Sequence, residues 1–136
     1  MYLLDTNILS ELIKRKPNTH LLARLDSEPA RVLSTSCICI MELRFGSALR
    51  EDFEKFWLKI TQEIISRVNI LPIGEKEVLA AGDILAGLRI TGQNIGLEDV
   101  LIAASAFTNQ YTVVSANTRH FSRIKGLQVE NWLEKE

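Results

Sequence analysis

Apolar residues follow two rhythms along this chain: short continuous runs, and longer stretches at helical spacing. Tyr2-Leu3-Leu4 is a run of the first kind and predicts a short buried strand. Asp5-Thr6-Asn7 then reads as a turn with N-cap chemistry. Ile8, Leu9, Leu12 and Ile13 share one face of a following helix. Lys14-Arg15-Lys16 suits the negative end of its dipole and Pro17 stops it. A second helix is predicted over Thr19 to Asp26, and a strand over Arg31 to Thr35. Ser36 can open a helix running to about Arg50. Phe53, Phe56, Trp57, Ile60, Ile64, Ile65 and Val68 recur with a helical period, so an amphipathic helix is expected from Phe53 to Val68. Asn69 to Ile73 reads as a strand ended by Gly74. Glu75 to Ile90 reads as a helix with Val78, Leu79, Ala81, Ile84, Leu85 and Leu88 turned inward and Gly92 as its stop. Leu97 to Thr108 is an alanine-rich, strongly apolar helix, Tyr111 to Ser115 a buried strand, and Leu127 to Glu130 a final edge strand.

Strands alternating with helices predict an α/β fold with a mostly parallel sheet. No linker, repeat or low-complexity stretch divides the chain, so one domain spanning residues 1–136 is expected. The apolar content of 46% is enough to fill its core. No apolar run is long enough for a membrane span, and no secretory leader is expected, because Met1 leads straight into Tyr2-Leu3-Leu4. Cys37 and Cys39 sit too close for an unstrained disulfide and read as buried free thiols of a cytoplasmic protein. A net charge of −1 gives no global pull toward nucleic acid. RNA binding would need local basic groups, such as Lys14-Arg15-Lys16, Arg44 with Arg50, or Arg119, Arg123 and Lys125.

Three acids change this picture. Asp5 follows the first apolar run, Glu42 follows Ile38, Ile40 and Met41, and Asp99 precedes Val100-Leu101-Ile102-Ala103-Ala104. A carboxylate beside core costs several kcal/mol unless paired, protonated or bound to a cation. In a parallel sheet, ligands bind beyond the carboxyl ends of the strands. That places Asp5 and Asn117 near each other, and permits Glu42 and Asp99 to join them. Oxygen ligands without a thiol or imidazole cluster favour Mg²⁺ or Mn²⁺. Each acid also has a structural alternative. Asp5 and Asp99 could serve helix N-termini, and Glu42 could pair with Arg44 or Arg50.

The motifs Leu3-Leu4-Asp5-Thr6-Asn7, Ile40-Met41-Glu42-Leu43 with Gly46, Asp99-Val100-Leu101-Ile102-Ala103-Ala104, and Val113-Val114-Ser115-Ala116-Asn117-Thr118-Arg119-His120-Phe121 occur in this order. Over essentially its whole length the chain resembles a PIN-domain ribonuclease, and within that group a VapC-type toxin of a bacterial toxin–antitoxin pair. The resemblance implies a three-layer α/β/α sandwich, RNA cleavage dependent on Mg²⁺ or Mn²⁺, a homodimer, and neutralisation by a cognate antitoxin that covers the active site. By motif, Asp5, Glu42 and Asp99 would be the catalytic, metal-binding acids. Thr6 and Asn7 would hold Asp5, and Ser115 stands where such proteins commonly carry threonine. Asn117 stands where many carry a fourth acid, which puts a second stable metal site in doubt. Lys14, Arg119 and Arg123 are the candidate RNA contacts.

Two other readings compete. A non-catalytic module would bind RNA or a partner protein with the acids as residues of no chemical use. A metal-dependent phosphatase would use a nucleophilic aspartate with a second aspartate two positions on, but position 7 is asparagine.

Overall fold

The computed structural model describes residues 1–134, so the last two positions of the expected 1–136 domain lie outside it. The elements run β1 (Tyr2–Leu4), α1 (Thr6–Leu12), α2 (Thr19–Asp26), β2 (Leu33–Ser36), α3 (Cys37–Ala48), α4 (Phe53–Glu63), β3 (Asn69–Leu71), α5 (Glu75–Ile90), α6 (Leu97–Asn109), β4 (Thr112–Val114), α7 (Thr118–Phe121) and β5 (Val129–Glu130). The five strands form one sheet in the order β3-β2-β1-β4-β5, and every pairing is parallel. Parallel pairing requires a crossover between successive strands, from β1 to β2 to β3 and then back across to β4 and β5, and the helices in these connections flank the sheet. The expected three-layer α/β/α architecture follows.

The central strands read as unbroken apolar runs because both their faces are covered. Leu3, Leu4, Val113 and Val114 are fully buried. Registers pair Tyr2 with Leu33 on one side and with Thr112 on the other. The chain therefore moves away from β1 in both directions, and the crevice between the carboxyl ends of β1 and β4 is the topological switch point.

Helix ends follow their local chemistry. Asp5 caps α1, Asn18 caps α2 and Ser36 caps α3, each accepting a backbone N–H inside the first turn. Gly92, at φ 69°, ends α5 as expected, and the Gln93 N–H closes the cap on the Leu88 carbonyl at 2.8 Å.

Two sequence expectations are corrected. The amphipathic helix stops at Glu63, not Val68, and a 3-10 turn over Ile65–Arg67 follows. Ile60 and Ile64 are buried already, and the chain must reverse there to bring Asn69 beside Leu33, whose carbonyl accepts the Asn69 side-chain amide at 3.3 Å. In α5, Val78, Leu79 and Leu85 point outward, 49%, 63% and 41% exposed, while Ala81 and Leu88 are buried. Buried Glu77 takes an inward place because its carboxylate accepts the Gly74 N–H at 3.1 Å. Both faces of α5 are apolar, so periodicity alone could not choose between them. Among the described residues no helix is long and apolar enough to cross a membrane.

Candidate active site

Asp5 lies one residue past β1, and its own N–H donates to the Val114 carbonyl at 3.1 Å, fixing it against the end of β4. Its Oδ1 accepts the Ile8 N–H at 3.0 Å. The capping role and a place among the acids thus belong to one side chain, with Oδ1 serving the helix. Asp5 is only 5% exposed. Burial pushes its pKa up to about 6, opposed by hydrogen bonds from the Ser115 hydroxyl and the Ile8 N–H, and reinforced by the charges of Asp99 and Glu42. Asp5 therefore feels the charge of both sequence-distant acids.

Glu42 projects from α3, and its Oε1 accepts the Thr6 hydroxyl at 2.8 Å. Among the described residues it makes no ion pair with Arg44 or Arg50. Arg44 stacks over the rings of Phe53 and Trp57 at 4.4 and 4.8 Å, and Arg50 lies 3.8 Å from the Phe56 ring centre and binds Asp52 at 2.7 Å. Asp99 is in the first turn of α6, where Gly96 occupies the cap position and no side chain caps the helix. Its Oδ2 lies 3.5 Å from His120 Nδ1. Glu98 beside it is exposed.

Ser115 is fully buried past the end of β4, and its hydroxyl also accepts the Asn117 N–H at 2.8 Å. The Asn117 side-chain amide meets His120 Nδ1 at 2.7 Å. Asn7 is exposed and makes no side-chain hydrogen bond to Asp5 among the described residues; Ile8 and Ser115 supply the orienting bonds instead. His120 is the residue of this neighbourhood that sequence reasoning did not single out. The spacing Asn117-x-x-His120 is the signal that could have found it, since it puts both side chains on one helical turn.

Glu42, alone of the three acids, lines an open groove of about 420 Å³ together with Thr6, Lys14, Gly46, Arg50 and Phe56, among others. Lys14 is held on Glu11 at 3.0 Å at its edge. Arg119 is exposed on α7, while Arg123 donates to the Asn94 carbonyl at 3.2 Å. Arg123 lines a larger and more apolar cavity of about 510 Å³ between α5, Phe107 and residues 123–125. None of the three acids lines that cavity, so its size does not make it the reaction centre.

Among the described residues no three His, Cys, Asp or Glu side chains converge into a ready-made cation cage. Asp5 nevertheless lies in the field of Asp99 and Glu42, and carboxylate oxygens are the donor type that a hard divalent cation takes.

The Thr6–Glu42 bond makes a specific expectation. Thr6→Val keeps the shape of the side chain and removes the hydroxyl, freeing Glu42 to swing in the open groove. If Glu42 serves the reaction, cleavage should fall about 10- to 100-fold, the usual effect of losing a residue that orients a ligand. Unchanged turnover in single-turnover assays would show that Glu42 needs no such anchor.

Comparison with known proteins gives a consistent result. The family model described as PIN domain matches residues 2–127. The chain is 34% identical over 132 residues to ribonuclease VapC2 of Haemophilus influenzae, covering 97% of this chain and 98% of that protein. It is 33% identical to the tRNA(fMet)-specific endonuclease VapC of Salmonella typhimurium, covering 96% and 97%. Its fold superposes on a chain of VapBC2 from Rickettsia felis, solved bound to a DNA fragment from the promoter, with TM-score 0.88 and 29% identity over 96% of this chain and 98% of that one.

Proposed function

Because the chain belongs to the PIN-domain family and is similar to VapC ribonucleases along nearly its whole length, we propose that it is a metal-dependent endoribonuclease, the toxin of a toxin–antitoxin pair. The observation that carries the site assignment is buried Asp5 at the β1–β4 switch point, its pKa raised within the field of Asp99 and Glu42.

In this reading Asp5 and Asp99 hold Mg²⁺, with Mn²⁺ as a substitute, and Glu42 joins them directly or through water. The bound ion supplies Lewis-acid stabilisation of the charge that develops on the scissile phosphate. The remaining work falls to the chain. Ser115 and the Ile8 N–H fix the Asp5 carboxylate. Thr6 aims Glu42, which can accept a proton from the attacking water. Lys14 at the groove edge and Arg119 on α7 are placed to take backbone phosphates, which set register without reading sequence. Arg123, tied to Asn94, is the weaker of the RNA candidates. Single-stranded loops of structured RNA are the natural targets, since their phosphates and bases can enter an open groove. An RNA substrate and a cognate antitoxin that inhibits by covering the site are in keeping with a cytoplasmic protein.

Purified protein should cut a structured RNA such as a transfer RNA at discrete positions with Mg²⁺, and EDTA should stop it. Cleavage indifferent to EDTA, or none with either Mg²⁺ or Mn²⁺, would favour the non-catalytic reading.

We also propose a homodimer, with the outer face of α5 as the contact. Phe53, Phe56 and Trp57 are half-buried beneath Arg44 and Arg50 and offer little to a partner. Val78, Leu79, Leu85 and Ile90 instead form an uncovered apolar stripe. Leu85→Glu should convert a dimer to a monomer by light scattering after size exclusion. A dimer that survives both this change and Leu79→Glu uses another surface.

A further inference from the structure

The cavity of about 510 Å³ between α5, Phe107 and residues 123–125 has no part in the chemistry assigned to the acids. Its size lies in the range that houses small organic ligands, roughly 300–1,000 Å³. Its rim is one helical turn from the site: the Arg123 N–H donates to the His120 carbonyl at 3.3 Å, and His120 Nδ1 is 3.5 Å from Asp99 Oδ2. Ile84 and Leu88 make an apolar wall, and Phe107, 48% exposed, presents an aromatic ring there. A Cβ at Gly126 would stand 3.4 Å from Phe107 Cε2, so the loop braces the ring from that side. Arg123 spends one N–H on the Asn94 carbonyl at 3.2 Å, which fixes its guanidinium at the wall. Lys125 adds a second cation, against the single carboxylate of Asp83. Gly87 lies inside α5, where glycine is a poor helix former, and it lines the cavity. An added Cβ would meet nothing within 4 Å, so no close packing explains the glycine; its effect is to widen the hollow.

We propose that this cavity is a nucleotide subsite for the RNA substrate, taking one unstacked base against Phe107 and the Arg123 guanidinium, with Lys125 on the adjoining phosphate. The proposal rests on the nuclease reading and names where the substrate goes beyond the scissile bond. An RNA cut internally must leave the acids in two directions. On one side Glu42 opens onto the groove edged by Lys14. On the other, Asp99 leads through His120 to Arg123 and the cavity. Unpaired RNA bases stack on aromatic rings and on arginine planes, and the basic pair suits the polyanion that carries them. The tie to Asn94 makes Arg123 a poor phosphate arm, but it supplies what a stacking plane needs, a fixed orientation. Asp83, Thr91 and Gln93 put polar groups in the same walls. They can hydrogen-bond a base edge, so the subsite selects among bases at one position while the phosphate contacts only set register.

The test measures binding of short, labelled oligo(A), oligo(C) and oligo(U) in EDTA, where binding is read apart from cutting. Wild type should bind one of the three several-fold tighter than the others. Gly87→Leu, which fills the cavity from an open position on α5, should weaken that binding about tenfold or more and level the preference. Phe107→Ala should weaken it by a similar factor, and Lys125→Gln should weaken all three oligomers alike. Nucleoside monophosphates should shift the amide resonances of Gly87, Gln93 and Lys125 in the wild type, a readout that needs no variant and holds even if a substitution fails to fold. No shift at these residues, or binding and preference unchanged in well-folded Gly87→Leu and Phe107→Ala, overturns the proposal. A filled cavity that leaves RNA binding intact but frees the protein from its antitoxin also overturns it, because the occupant is then a protein. If wild type cuts RNA with Mg²⁺ in either case, the nuclease reading stands. If wild type neither binds nor cuts RNA, both fall.

Discussion

Asp5→Asn should silence RNA cleavage and make the metal-free protein harder to unfold. Both effects come from one charge. Asparagine is nearly the same size and is an equally good N-cap, so the bond to the Ile8 N–H is kept. What is lost is a negative oxygen for the divalent ion. Losing several kcal/mol of transition-state stabilisation lowers the rate on the order of 10³-fold. The gain in stability follows from burial. A carboxyl whose pKa rises from 3.8 to about 6 on folding is forced to ionise at neutral pH in a place that resists it. Relieving that strain is worth up to about 3 kcal/mol above pH 7, or several degrees in melting temperature. Cleavage assays and thermal melts in EDTA check the two halves. A variant that retains wild-type cleavage removes Asp5 from the site, and one that melts lower shows that the carboxylate is needed for packing.

The second large effect is the response of the wild-type fold to pH. The native state holds the Asp5 proton more tightly than the unfolded chain. Between about pH 4 and pH 6 the native state therefore binds more protons, and stability falls as pH rises. The contribution is fully present below 3.8 and lost once pH passes about 6, again about 3 kcal/mol for this group. This runs against the usual behaviour of surface carboxylates, whose partners depress their pKa. Mg²⁺ or Mn²⁺ should reverse it at neutral pH, because an ion that binds only the folded form stabilises by mass action. Urea titrations at pH 4.5 and 7.5, with EDTA or with metal, read it directly. Asp5→Asn should flatten the metal-free difference. An equal slope in wild type and variant would assign the pH response to another group.

Much of this was legible in the chain. Apolar runs of strand length marked the core strands because a sheet covered on both faces has no polar side to alternate with. Asp5 was conspicuous for the same reason, a carboxylate joined to a fully buried segment. Other features were not legible. Val78, Leu79 and Leu85 follow the helical period, but so do the residues on the opposite face of α5, and only the packed neighbours decide between them. The end of α4 depended on a chain reversal into β3, not on any breaker residue. His120 escaped notice because its significance comes from Asp99, 21 positions earlier in sequence and 3.5 Å away in space.

The sheet order bears on how the protein is made. Tyr2 pairs with Leu33 and with Thr112, so β1 is flanked on its second side only when β4, far later in the chain, has been made. A nascent chain that has passed Asp99 already carries all three acids, but it has neither the strand end that receives the Asp5 N–H nor the Ser115 hydroxyl. In the proposed reading, the support of the Asp5 carboxylate is therefore completed only when the chain has been made as far as Ser115.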